Sequence, residues 1–224
     1  MQYSFHFREV FRYQDQLLEG VLLTLQLSGV AIWFGLLLGI LGAAMKAGQV
    51  RTLRRIASAY VDIIRNTPLL VQLFIVFFGL PGLGLKMGPT TAAAITLTIN
   101  LGAYTTEIIR AGVEAIPRSQ IEAGLSLGMS RLEVFRHIVL MPALKITYPA
   151  LASQFILLLI ATSIVSQIAV TELFHTGAFI ESRTFRSIEV YLVITGIYLV
   201  MALFFRAAFG IVYRLLFVRR KATS

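Results

Sequence analysis

The stretch Ser119-Gln120-Ile121-Glu122-Ala123-Gly124-Leu125-Ser126-Leu127-Gly128-Met129-Ser130-Arg131-Leu132-Glu133 reads as two short helices joined at a glycine. Ser119 and Glu122 have the spacing of a capping box, in which the serine hydroxyl takes the N3 amide and the glutamate returns to the cap amide. Ser130 and Glu133 repeat that spacing. Gly128 falls where the first helix must stop, because glycine tolerates the left-handed C′ conformation. Pro117 and Lys145 bracket this elbow, and long apolar runs flank it on both sides. A rigid, polar, capped elbow between membrane segments is a feature offered to another protein.

Working outward, 57% of the 224 residues are hydrophobic, 14% are charged and mean hydropathy is +0.80. Soluble domains carry ~25% charged residues, so this chain cannot dress an ordinary aqueous surface. Its apolar residues gather in runs that approach or exceed the ~20 residues a bilayer crossing needs. Five spans are expected, at 20–45, 57–80 (carrying Pro68), 89–109, 146–173 and 190–217. The resulting division is an extracytoplasmic interfacial segment at 1–19, a five-span membrane domain at 20–218 with the elbow at 119–141, and a basic tail at 219–224. The mixed aromatics and charges of the first sixteen residues suit a segment lying on the outer leaflet.

The net charge of +9 does not indicate nucleic acid, because the basic residues cluster at the ends of apolar runs. Lys46, Arg51, Arg54 and Arg55 fall between spans one and two. Arg110, Arg118, Arg131, Arg136 and Lys145 fall between spans three and four, and Arg219, Arg220 and Lys221 close the chain. The positive-inside rule then places the elbow and C-terminus in the cytoplasm and, with five spans, the N-terminus outside. Arg65, near the start of span two, is expected to snorkel to the cytoplasmic interface.

Gln120, Gly124, Gly128 and Val134 also match spacings of DNA-binding helix-turn-helix units. Such a unit needs a third packed helix and a core of its own, and the adjoining spans leave no room for either. The alternative is a helix presented to a partner that does mechanical work. Glu122-Ala123-Gly124, then Gly128, Ile138 and Leu140, resemble the cytoplasmic "EAA" loop of the membrane subunits of ATP-binding-cassette (ABC) importers. Residues 65–72 (RNTPLLVQ) are similar to the "RGTPLLVQ" stretch of the polar amino-acid permeases in that family. Residues 102–112 (GAYTTEIIRAG) look like their "GAYTAEIIRGG", and Thr184-Phe185-Arg186 is close to their "RTFR". Four motifs in family order are far more specific than a lone EAA-like match.

The resemblance implies an all-α integral membrane protein of the type I (MetI-like) importer fold, with five spans and a cytoplasmic coupling helix. It implies a permease subunit in the bacterial inner membrane, paired with an identical or homologous second permease. Two cytoplasmic ABC ATPases would dock on the elbows, and an extracytoplasmic substrate-binding protein would deliver polar amino acids. Ser119, Glu122, Ala123, Gly124 and Gly128 become the ATPase-coupling set. Glu122 either closes its capping box or pairs with a basic residue of the ATPase. Ala123 and Gly124 either approach a groove wall or pack against neighbouring spans. Two departures stand out: Met141 precedes Pro142 where many relatives have proline at once, and Ile160-Ala161-Thr162-Ser163-Ile164 replaces their "KDTSL". The missing acid argues against a cationic amino acid, which needs an anionic partner in a low-dielectric site.

A transport path near the midplane should be lined by inward-facing polar residues. Gln72, Asn100, Tyr104, Thr105, Gln154, Thr162, Ser163, Ser166 and Gln167 are the candidates, with Thr162, Ser163 and Ser166 on one helical face. The competing reading is that these residues hydrogen-bond helices to one another. Glu107 and Arg110, one turn apart, read as an ion pair. No phosphate-cradling glycine loop, catalytic pair or metal-spaced cluster is present, and His6, His137 and His175 are scattered. No catalytic residue, metal or cofactor is therefore expected, and ATP is to be bound by a separate subunit. A passive channel is the rival reading, but no repeated ring of charge supports it.

Overall fold

The computed structural model describes residues 4–217. The basic tail at 219–224, Val218 and Tyr3 lie outside the described residues. Among the described residues there are nine helices and no strand. They are α1 (Phe7–Phe11), α2 (Gln14–Ala47), α3 (Arg51–Arg65), α4 (Leu69–Gly82), α5 (Pro89–Glu114), α6 (Arg118–Ser126), α7 (Arg131–Ile168), α8 (Leu173–Thr184) and α9 (Ser187–Phe217).

Three helices are long and apolar enough to cross a bilayer on their own: α2 with 34 residues, α7 with 38 and α9 with 31. The pair α3 and α4 makes a fourth span, broken by a 109° bend. The fifth, α5, has 26 residues and is less apolar because the bundle encloses it. Ala92, Ala93, Leu97, Leu101 and Ala103 are all fully buried.

Small residues set the helix spacing. Helices α2 and α5 run parallel with Gly35, Gly39 and Gly42 seated on Leu101, Thr105 and Thr106 in turn. A Cβ at Gly39 or Gly42 would overlap the facing threonine. Gly112 seats α5 against Thr147 of α7 in the same way. Without a hydrophobic drive inside lipid, such close approach supplies the packing energy. The main core joins Leu27, Ala31, Leu73, Leu97, Leu101, Phe155, Leu158 and Val165, and so ties α2, α4, α5 and α7 together.

Three expectations about helix bounds are corrected. Span two is not one continuous helix over 57–80. Pro68 cannot donate to the Ile64 carbonyl and pushes Thr67 out of helical conformation, so the chain turns sharply and restarts at Leu69. The second elbow helix is not short, because it is the first turn of α7, which continues without a break through Pro142. A π-helical turn over Val134–Leu140 absorbs that proline. Span four ends at Ile168, where Ala169 turns left-handed at φ 60, and not at Leu173. The next helix, α8, was not expected. Both carboxylate oxygens of the buried Glu172 cap it, accepting from Phe174 N at 2.9 Å and His175 N at 2.8 Å.

Residues 6–10 are folded onto the bundle. Val10 of α1 is fully buried among Leu17, Ile180, Val190 and Ile194. His6 N donates to Glu189 Oε1 at 3.1 Å, which fastens the segment to the start of α9.

Candidate functional site

Two features carry chemistry: a polar constellation around the bend of span two, and the elbow at one end of the bundle.

The bend leaves the last carbonyls of α3 without helical partners, and side chains satisfy them. Asn66 Nδ2 donates to Asp62 O at 2.7 Å, and Thr67 Oγ1 donates to Ile63 O at 2.8 Å. Gln72 Nε2 reaches Ile64 O at 2.7 Å and Thr67 O at 3.0 Å. Its Oε1 accepts from Asn100 Nδ2 of α5 at 3.0 Å. Tyr104, one turn along α5, presents its ring to Arg65, whose Cζ lies 5.3 Å from the ring centroid. Tyr60 donates to Ile99 O at 2.6 Å and fixes the height of α3 against α5. Arg65 therefore stands beside the middle of α5.

The other candidate path residues are dispersed. The last turn of α7, Thr162–Ile168, is a 3₁₀ helix, in which every third residue eclipses. Thr162 therefore shares the buried stripe of Val165 and Ile168, while Ser163 and Ser166 fall on a partly exposed stripe beside it. The expected single face of Thr162, Ser163 and Ser166 does not form. Ser163 and Ser166 each donate to the carbonyl three residues back, Gln167 is exposed and Gln154 is half-buried. Thr105 is buried beneath Gly39, and its Oγ1 has no partner among the described residues. Helix α4 packs against the 3₁₀ turn, so Gln72, Asn100 and Tyr104 lie on elements that adjoin Ser163 and Ser166. A groove of about 580 Å³ between α2, α5 and α7 is lined by Leu36, Ile40, Phe135 and Leu151, and by none of these candidates.

At the elbow, the Ser119–Glu122 capping box does not form. Pro117 occupies the cap position with an extended backbone, α6 starts at Arg118, and Ser119 lies two residues too far into the helix for its hydroxyl to cap. The Ser130–Glu133 box does form: Glu133 N takes Ser130 Oγ at 3.3 Å, and Ser130 N donates to Glu133 Oε2 at 2.8 Å. These bonds hold the Glu133 carboxyl below its usual range. Gly128 has φ 81 and ends α6, with Gly128 N bonded to Leu125 O at 3.0 Å and Met129 N to Gly124 O at 3.2 Å. These two bonds make a Schellman motif.

Gly124 is buried, and a Cβ there would overlap Ile138 Cδ1, so α6 is pressed directly onto α7. Ser119, Glu122, Ala123 and Gly128 are exposed. Sequence reasoning missed the apolar tip, where Leu127 is 84% and Leu132 is 74% exposed. The signal was available, since leucines beside a chain-reversing glycine have no inward position. The expected Glu107–Arg110 pair is present, with Arg110 Nη2 at 2.9 Å from Glu107, and it belongs to a wider network with Lys46 and Glu114.

Residues 35–218 match the family described as binding-protein-dependent transport system inner membrane component. The chain belongs to that family. It is a multi-pass, inner-membrane permease of the type I ABC fold, and ATP hydrolysis resides in a separate subunit. Members work with a substrate-binding protein, an ATPase and a second permease subunit. The L-cystine transport system permease of Bacillus subtilis is 39% identical over 171 residues, 76% of this chain and 73% of that protein. The glutamine transport system permease of Escherichia coli K12 is 35% identical over 189 residues, 84% of this chain and 86% of its own. The crystal structure of an amino acid ABC transporter with histidines matches with a TM-score of 0.89 at 36% identity, covering 96% of this chain and all of that one. An inward-facing methionine ABC transporter, at 21% identity and a TM-score of 0.73, shares the fold.

Proposed function

We propose that this permease imports amino acids, that its elbow lies in the cytoplasm, and that the elbow receives the stroke of the ATPase. The relatives named for glutamine and cystine support the substrate class. The basic residues Lys46, Arg51, Arg54, Arg55, Arg110, Arg118, Arg131 and Arg136 gather toward the elbow end, which supports the orientation. The N-terminus then lies outside, with α1 and α8 on the face offered to the binding protein. The second permease is an identical or homologous copy, and the translocation path lies between the two five-span halves.

One observation carries the coupling: α6 is seated through Gly124 on a helix that continues unbroken from Arg131 to Ile168. A push on the exposed tip at Leu127 and Leu132 is passed to the far end of span four, next to the 3₁₀ turn with Ser163 and Ser166. A loop without this seating would absorb the stroke. Glu122, free of any cap, is exposed and positioned to pair with a basic residue of the ATPase.

The test is reconstitution with the cognate ATPase, binding protein and second permease, and uptake of labelled amino acids. Leu127→Asp and Glu122→Arg should abolish ATP-driven uptake and ATPase copurification while leaving membrane insertion intact. Undiminished uptake in both variants defeats the coupling role, and uptake that persists without ATP defeats the importer.

A further inference from the structure

We propose that Arg65 is the carboxylate-binding group of the translocation path, taking the α-carboxylate of the transported amino acid; this rests on the amino-acid reading above. The first ground is depth. Arg65 lies over Tyr104, which is fifteen residues from Pro89 and ten from Glu114 along α5, or roughly 22 and 15 Å at 1.5 Å per residue. A bilayer core is ~30 Å thick, so the guanidinium sits inside it. A charged group at that depth faces a water-filled cavity or the bundle interior, and not lipid.

The second ground is the missing counter-charge. Lys46 and Arg110, the other cations near this level, are both paired with Glu107, and Arg110 also with Glu114. Arg65 makes no ion pair and no hydrogen bond among the described residues. Asp62, three residues earlier on the same helix, does not contact it; only the Asp62 backbone carbonyl is engaged, by Asn66. The side chain is nonetheless held in place. Its face rests on the Tyr104 ring, and its backbone ends α3, where helix carbonyls favour a cation.

The third ground is shape. Stacking occupies the face of a guanidinium and leaves its planar edge of N–H donors free, and that fork matches a carboxylate in two parallel bonds. The bend supports this arrangement, because Asn100 is bonded to Gln72, and Gln72 to the broken backbone. The Gln72 amide is spent on holding the turn, and Arg65 stands beside it with no ion pair among the described residues. A carboxylate at this height has two sources, the substrate or an acid of the second permease, and the two are separable.

The natural sequence has no cysteine, so Arg65→Cys introduces a single thiol into this subunit. The full importer is reconstituted in proteoliposomes and assayed with a panel of labelled L-amino acids, with Arg65→Gln and Arg65→Lys alongside. Arg65→Gln should lower uptake at least ~30-fold, the scale of a lost buried charge pair, and Arg65→Lys should fall between. Assembly of the importer should match the wild type. Arg65→Cys should regain uptake at least tenfold with 2-aminoethyl methanethiosulfonate but not with the anionic 2-sulfonatoethyl reagent, and saturating substrate should slow both modifications.

Uptake by Arg65→Gln within twofold of wild type overturns the assignment. So does a thiol at 65 that neither reagent reaches, or that substrate fails to protect, since the carboxylate would then be the second permease's or absent. If Arg65→Gln fails to assemble, the thiol measurements decide. Wild-type importer that moves no amino acid of the panel overturns the amino-acid reading, and the assignment with it.

Discussion

Asn100 Nδ2 donates to Gln72 Oε1 at 3.0 Å, and this one bond joins the middle of α5 to the restart of span two. The same glutamine closes the break from the other side, through the carbonyls of Ile64 and Thr67. Gln72 thus has partners on three segments of the bend, while Asn66 and Thr67 satisfy the neighbouring carbonyls.

Gln72→Leu keeps the volume and removes every one of those bonds. Buried carbonyls left without a donor cost ~1–3 kcal/mol each. The variant should melt earlier in detergent than wild type, and Asn100→Leu, which strands only one Gln72 acceptor, should lose less. Equal melting temperatures for wild type and Gln72→Leu would show that the bend does not depend on this clasp.

Close packing between α2 and α5 predicts a contrast between two glycines of the same helix. Gly39 is pressed against Thr105, whereas a Cβ at Gly29 meets nothing within 4 Å. Gly39→Leu should destabilise by ~1–3 kcal/mol or more, as overpacking does. Gly29→Ala should be neutral or gain up to ~1 kcal/mol from helix propensity. Thermal unfolding of the two variants side by side measures the difference.

Local signals survived the passage from sequence to structure, and long-range ones did not. Gly128 and the Ser130–Glu133 box were legible because each depends on residues within one helical turn. The Ser119–Glu122 box had the same spacing and failed because Pro117 starts α6 two residues too early. Apolar runs showed where the spans lie, but Pro68 alone did not announce a 109° bend. Its sharpness depends on Gln72 and Asn100, the latter 28 residues further on. Helix α8 was hidden because Val170 and Leu173 extended the apolar run past the true end of α7, and Glu172 is an uncommon cap. The stacking of Arg65 on Tyr104 was hidden for the same reason: the height of α3 against α5 is set by Tyr60 on Ile99, a contact between helices.

Glu133 makes the start of α7 sensitive to pH. Its carboxyl is held below the usual range by the Ser130 backbone and hydroxyl. A depressed carboxyl contributes order above its unfolded pKa and loses it as pH falls through the folded value. Amide protection at 131–136, corrected for intrinsic exchange, should drop as pH falls below the ordinary carboxylate range. In Glu133→Gln that dependence should flatten. A profile unchanged by the substitution would remove the capping box from the account.

Gly128 tests whether the shape of the elbow, and not its contacts, is what transmits force. A Cβ there meets nothing within 4 Å, so substitution adds no clash. Its φ of 81 is nevertheless left-handed, which costs a residue with Cβ ~1–2 kcal/mol, more when β-branched, while asparagine tolerates it. Gly128→Val should therefore loosen the junction of α6 and α7 with the membrane core unaltered. ATP hydrolysed per amino acid imported should rise several-fold in Gly128→Val and stay near wild type in Gly128→Asn. If valine and asparagine behave alike, backbone strain at this turn has no part in coupling, and the seating of Gly124 on Ile138 must carry the stroke alone.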